Sequence, residues 1–232
     1  MTLEEKIGDI RSCGLRALMN PKALIFDMDG VIVDSEPLHE HAKRLALRCA
    51  GIELDESVLP QYTGRSDRDM ITDLARNHGR SDDEIESILV EKRRVYESLE
   101  PGLKPVKGAL EFLFWSHERY RLAIATSATT RNRISTLARL RIAELFEVAV
   151  DCSSVVQPKP SPEVFLRAVA ALEVAAEDCW VIEDSVNGVI AATGAHCFTV
   201  GLTTSFDAIA LRNAGANIVV DSFSELKRTL DF

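Results

Sequence analysis

The chain has 232 residues, 46% of them hydrophobic and 27% charged, with a formal net charge of −9. That balance is the composition of an ordinary globular protein and excludes a disordered or membrane-embedded chain; no run of 18 apolar residues is present to span a bilayer. The acidic excess, without a block of Lys and Arg, argues against nucleic acid as a partner, because phosphate backbones are held by clustered cations.

The first segment, residues 1–19, carries helical spacing (Leu3, Ile7, Ile10, Leu15, Leu18) but acids at positions 4, 5 and 9 and no continuous apolar stretch of the signal-peptide kind. It has no assigned role, and the chain reads as cytoplasmic. Short β-rich runs then alternate with longer helical patterns. The runs are ALIFD at 23–27, LAIAT at 122–126, EVAV at 147–150, CWVIE at 179–183, CFTVG at 197–201 and NIVV at 217–220. Helical patterns lie at 106–118, 130–140, 162–171, 186–194, 205–213 and 223–230, with Pro162 suited to a first turn after Ser161. Such alternation implies βαβ units, so the predicted fold class is α/β: a parallel, Rossmann-like sheet with helices on both faces.

One interval breaks the rhythm. Residues 34–121 separate the first two strands, far more than one crossover helix needs. Within it, 37–50, 67–78 and 81–99 read as amphipathic helices, the last opened by a Ser81…Glu84 capping box. The sequence therefore predicts a small helical cap over residues 35–103, inserted into a core of 20–34 and 104–232. The five cysteines (Cys13, Cys49, Cys152, Cys179, Cys197) are an odd count without CxxC spacing, three of them among apolar neighbours, which suits a reducing compartment and no zinc site.

Ligands of open α/β sheets bind beyond the carboxyl ends of the strands. There the sequence sets Asp27 after strand one, with Asp29 two residues on, Thr126 and Ser127 after strand two, Lys159 after strand three, and Glu183 and Asp184 after strand four. A carboxylate leaving an apolar run requires hydration, a partner or a metal. Acid oxygens without His or Cys suit a hard cation, and a sparse carboxylate set that leaves places for water and phosphate suits Mg²⁺.

The stretches FDMDGVIVDSEP, IATSA, PKPSPEVF and VIEDSVNG, in that order, resemble the four sequence motifs of the haloacid dehalogenase superfamily, over nearly all of residues 20–225. The resemblance is to the branch with a small helical cap after the first motif, which contains beta-phosphoglucomutase and many sugar-phosphate phosphatases. Asp29 and Gly30 set the chain apart from the dehalogenases and from the transport ATPases. The resemblance implies Asp27 as the nucleophile that becomes an aspartyl phosphate, and Asp29 as the acid that protonates the leaving oxygen and then activates water. It implies Thr126 and Lys159 as holders of the phosphoryl oxygens, with Ser127 beside them. Mg²⁺ would be bound by Asp184, a side-chain oxygen of Asp27 and the backbone carbonyl of Asp29, with Glu183 in support. In the insert, Arg68 with its neighbour Arg65, Lys92 and His39 resemble cap residues that meet the substrate or the acid/base aspartate.

Each residue also has a plainer role open to it. Asp27 and Asp29 taken alone read as an Asx turn, Thr126 and Ser127 as a cap for the helix near 130, Lys159 as a solvated lysine, and Glu183–Asp184 as a cap for 186–194. Arg68, Lys92 and His39 could simply lie on solvated helix faces. The functional expectation is a Mg²⁺-dependent phosphatase of a small phosphorylated metabolite. A phosphosugar mutase of the beta-phosphoglucomutase kind and a non-catalytic binding protein are the alternatives. Oligomeric state and substrate identity are not legible.

Overall fold

A computed structural model of the chain describes residues 20–55, 57–62 and 67–231. The helical reading of residues 1–19, Cys13 and Arg65 lie outside the described residues. The chain divides into two compact units, one running Asp34–Lys104 and the other made of the segments up to Val33 and from Pro105 onward.

The larger unit is built on a six-stranded sheet. Its strands are β1 (Ala23–Phe26), β4 (Arg121–Ala125), β5 (Val148–Val150), β6 (Cys179–Glu183), β7 (Phe198–Leu202) and β8 (Ile218–Val220), in the order β5-β4-β1-β6-β7-β8. Every pairing is parallel. Two short strands at the crossings, β2 (Val33–Asp34) and β3 (Lys104–Pro105), form a separate two-stranded ribbon. After β1 the chain builds outward through β4 and β5, then returns to the other side of β1 with β6. The order therefore reverses at the carboxyl ends of β1 and β6, where open α/β sheets place their ligand crevice.

Continuous apolar runs form the central strands because both faces of the sheet are covered. Ala23 and Ile25 face a buried cluster with Val164, Phe165, Ala168, Leu172, Ala191 and Ala192. These come from α6 (Glu163–Leu172) and α7 (Val186–Gly194). Phe26 points the other way, edge-on to Phe112 at 6.1 Å, and Phe112 in turn meets Phe223 at 5.0 Å. These two belong to α4 (Ala109–His117) and α9 (Phe223–Leu230). Burying side chains of this size contributes about 1.5–3 kcal/mol each, so β1 is anchored from both sides before it delivers Asp27.

Helix boundaries shift where local chemistry decides them. The helix expected from 106 starts at Ala109, because Gly108 occupies the left-handed region (φ +83°) as its N-cap. The helix expected from 205 is α8 (Ala208–Asn213), whose Asp207 side chain accepts from Ala210 N at 2.8 Å and so fixes the start. Pro162 stands at the N-cap of α6 instead of inside its first turn. α5 (Thr130–Leu140) is capped by Thr129, which accepts from Asn132 N at 3.2 Å, so neither Thr126 nor Ser127 serves as its cap.

The unit Asp34–Lys104 holds three helices, α1 (Glu36–Cys49), α2 (Asp67–Asn77) and α3 (Asp82–Leu99), around a core that includes Leu47, Ile52, Met70, Ile71, Leu74, Ile85 and Ile88. α3 opens with the capping box of Ser81 and Glu84. Of the described cysteines, Cys179 and Cys197 are buried and Cys49 and Cys152 exposed. No helix among the described residues is long and apolar enough to cross a membrane.

Candidate active site

The sheet register assembles the site. Phe26 pairs with Ile124 on one side and Ile182 on the other, so the next residues, Asp27, Ala125 and Glu183, arrive level at the carboxyl edge. Asp27 N still donates to Ile182 O at 3.1 Å. The chain then turns tightly: Ile32 N and Val33 N both donate to Met28 O (2.8 and 3.0 Å), and Gly30 N donates to Val33 O (2.7 Å). Gly30 lies at φ +75°, and a Cβ there would overlap the Asp184 carboxylate, so the position excludes a side chain on two counts.

Lys159 joins the strands. Its Nζ donates to Oδ1 of Asp27 at 2.7 Å, to Oε1 of Glu183 at 2.6 Å and to the carbonyl of Ala125 at 3.2 Å, with the side chain 8% exposed. Asp27, Glu183 and Asp184 each place a carboxylate oxygen within 4.8 Å of the other two. Two buried carboxylates thus bind one ammonium, and a third, Asp184, lies beside them. Burial pushes Asp27 up to about 7, against the pull of Lys159 and with the help of the Glu183 and Asp29 charges. Burial, then Glu183 and Asp27, likewise holds Asp184 well above the ordinary carboxylate range. Burial alone would lower Lys159, but the two carboxylates outweigh it and keep its ammonium charged. The excess negative charge and the all-oxygen donor set fit a hard divalent cation, so the cluster could hold a metal.

The three acids are not equivalent. Glu183 is fully buried, with Oε1 on Lys159 and Oε2 accepting from Asp184 N (2.9 Å), Ser185 N (3.0 Å) and Ser185 Oγ (3.0 Å). Its carboxylate fills the space over Gly188, where a Cβ would overlap it. Glu183 therefore fixes Lys159 and the turn into α7, whose N-cap is Ser185 rather than Glu183 or Asp184. Thr126 is buried beside Ala125, and its Oγ1 accepts from Ala128 N at 3.0 Å, which turns the backbone after β4. Ser127 is exposed at the same edge. Asp151, after β5, anchors the neighbouring loop by accepting from Arg133 Nε (2.9 Å) and Ser153 N (3.0 Å).

Sequence reasoning missed two hydroxyls, Thr204 and Ser205, in the loop after β7. Thr204 Oγ1 donates to the carbonyl of Gly30 at 2.5 Å, and Ser205 Oγ donates to Oδ2 of Asp184. A serine in a polar turn carries no signal of such a contact; only the folded sheet brings the loop to Asp184.

In the other unit, His39 and Lys92 do come together and Arg68 does not join them. Lys92 Nζ lies 2.9 Å from Nδ1 of His39 and 2.5 Å from Oδ2 of Asp67. An ammonium can only donate, so Nδ1 is the acceptor and the ring proton sits on Nε2. The ring stacks on Tyr96 at 4.1 Å, and burial, reinforced by the Lys92 charge, lowers His39 to about 3. Arg68 instead pairs with Glu86 on an exposed face. Its neighbour Asp67 is the residue that meets Lys92, and it meets Lys43 as well (3.3 Å).

A model of the haloacid dehalogenase-like hydrolases matches residues 24–202. The chain is 33% identical over 210 residues to validoxylamine A 7′-phosphate phosphatase of Streptomyces hygroscopicus subsp. limoneus, covering 89% of this chain and 96% of that one. It is 35% identical over 205 residues to a phosphorylated carbohydrates phosphatase of Thermotoga maritima (86% and 94% covered). The crystal structure of a putative beta-phosphoglucomutase from Thermotoga maritima superposes with a TM-score of 0.73 at 32% identity, covering 90% of this chain and 99% of that one. The chain belongs to the haloacid dehalogenase-like hydrolase family.

Proposed function

We propose that this protein is a phosphatase of small phosphorylated carbohydrates, acting through an aspartyl phosphate on Asp27 with Mg²⁺ as its cofactor. The observation that carries the reading is Lys159, whose single ammonium binds Asp27 and Glu183 (2.7 and 2.6 Å) beside Asp184 at the carboxyl edge of the sheet. Similarity to a phosphorylated carbohydrates phosphatase and to validoxylamine A 7′-phosphate phosphatase supports the substrate class.

In this reading an oxygen of Asp27 attacks phosphorus while the ester P–O bond breaks, and Asp29 gives its proton to the leaving oxygen. Asp29 then takes a proton from water, which attacks the same phosphorus, breaks the bond to Asp27 and releases phosphate. Lys159 and the backbone after Thr126, with Ser127, hold the oxygens on which charge develops. Asp27, the backbone carbonyl of Asp29 and Asp184 would hold Mg²⁺, and Glu183 supports the set by anchoring Lys159. When bound, the cation neutralises phosphate charge that would otherwise repel the attacking carboxylate. The unit Asp34–Lys104 would serve as the cap that selects substrate and excludes water, with His39, Lys92 and Arg68 as the residues the family resemblance assigns to that task. The free thiols suit a cytoplasmic setting.

The test is a screen of sugar phosphates for phosphate release with and without Mg²⁺. Mg²⁺-dependent release from several of them is the expected result, and no release from any phosphate ester would overturn the reading. A phosphosugar mutase is the second reading, favoured by the likeness to the structure described as a putative beta-phosphoglucomutase. Conversion of glucose 1-phosphate to glucose 6-phosphate faster than phosphate release would establish it.

A further inference from the structure

The loop after β7 lies outside every stretch to which the catalytic reading assigns a role, yet it reaches Asp184 and the turn that carries Asp29. Ser205 Oγ donates to Oδ2 of Asp184, and Thr204 Oγ1 donates to the carbonyl of Gly30 at 2.5 Å. The loop is itself held: Thr203 N donates to Val220 O at 3.1 Å, Thr203 Oγ1 to Asp221 Oδ1 at 2.9 Å, and Thr204 N to Leu202 O at 2.9 Å. Both hydroxyls are thus delivered from backbone tied to the end of β8. Gly30 completes the arrangement, because a Cβ there would overlap Asp184 and come within 2.9 Å of Ser205 Oγ.

We propose that Ser205 is a positioning residue of the cation site, orienting Asp184 so that Oδ1 is the oxygen it presents to the metal. An aspartate rotates easily about its terminal bond. With Oδ2 held by a hydroxyl and Gly30 packed against it, that rotation is closed, and the cation binds without first ordering its ligand. Hydrogen bonds behind a metal ligand commonly account for about 10–100-fold in metal affinity. Thr204 acts on the facing side by fixing the Gly30 carbonyl, and with it the turn that carries Asp27 and Asp29. The inference rests on the reading of Asp184 as a ligand of Mg²⁺.

The experiment is calorimetric titration of the metal-stripped full chain with Mg²⁺, alongside the Mg²⁺ dependence of phosphate release. Ser205→Ala should bind Mg²⁺ about 10–100-fold more weakly, need correspondingly more Mg²⁺ for half-maximal rate, and approach the wild-type kcat once saturated. Ser205→Thr, which keeps the hydroxyl, should restore the affinity. If the alanine variant does not fold, Ser205→Cys, similar in size but a weak donor, takes its place with the same expectation. Wild-type affinity in the alanine or cysteine variant overturns the inference, as does a threonine variant as weak as alanine. A wild-type chain that binds no Mg²⁺ removes the proposed cofactor and this inference together, whereas normal wild-type binding with an unaffected variant removes the inference alone.

Discussion

Lys159→Met keeps the aliphatic stem and removes the ammonium that two buried carboxylates share, with Asp184 beside them. Its Nζ makes contacts of 2.7 and 2.6 Å to Asp27 and Glu183, and the side chain is 8% exposed, so almost no solvent screens the charges left behind. Breaking a buried ion pair from one side costs about 3–5 kcal/mol, a large share of the ~5–15 kcal/mol that holds a domain together. The pH dependence follows from Asp27, which stands at about 7 even with the ammonium beside it. Below that value the carboxyl is protonated in both proteins and the deficit is level. Above it the wild-type group has released its proton, while in the variant it is held. A carboxyl that binds its proton more tightly folded than unfolded lowers stability as the pH rises, by up to ~1.4 kcal/mol per pH unit. The deficit of Lys159→Met should therefore widen as the pH rises from about 7 into the alkaline range. Urea unfolding in EDTA across that range measures it directly. A variant as stable as wild type, or a deficit that shrinks with rising pH, would refute the idea that this ammonium balances the cluster.

Gly188→Ala places a Cβ where the Glu183 carboxylate lies. It should cost about 1–3 kcal/mol as overpacking and lower kcat by displacing Lys159; thermal melts and turnover check both, and a variant matching wild type in each would contradict the packing described. His39 is buried and lowered to about 3, below its unfolded value, so its contribution is intact at neutral pH and is lost as the pH falls from about 6.5, at up to ~1.4 kcal/mol per unit. His39→Asn, whose side-chain oxygen can replace Nδ1 as acceptor for Lys92, should flatten that acid slope in denaturant titrations; an unchanged slope would assign acid sensitivity elsewhere.

Much of this arrangement is legible in the chain. Leu24–Ile25–Phe26 and Trp180–Val181–Ile182 read as strands because a sheet covered on both faces favours continuous apolar runs, and the polar residue that follows each run marks the carboxyl edge. What stayed hidden depends on direction and on distant contacts. Adjacent helical residues point about 100° apart, so spacing alone could not decide between Arg68 and Asp67, and the fold turns the aspartate to Lys92. A sequence shows Glu183 as one more acid beside Asp184. Only the fold, which carries Lys159 across from the loop between β5 and α6, shows a carboxylate committed to holding that lysine. Ser205 gives no hint of Asp184, 21 residues earlier in the chain, because the loop that delivers it is fixed by the edge of β8. The capping of α5 by Thr129 instead of Thr126 illustrates the same limit, since the four hydroxyls of Thr126, Ser127, Thr129 and Thr130 are equivalent until the backbone turns.

The central claim is that Asp27 carries the phosphoryl group during turnover. Acid-quenching the enzyme while it hydrolyses a sugar phosphate with Mg²⁺, then mapping the modified peptide by mass spectrometry, tests it with Asp27→Asn as the control. The account expects a phosphoryl group on Asp27 in the wild type, and none, with no turnover, in a folded asparagine variant. A phosphoryl group on another residue, or an asparagine variant that turns over at the wild-type rate, would contradict it.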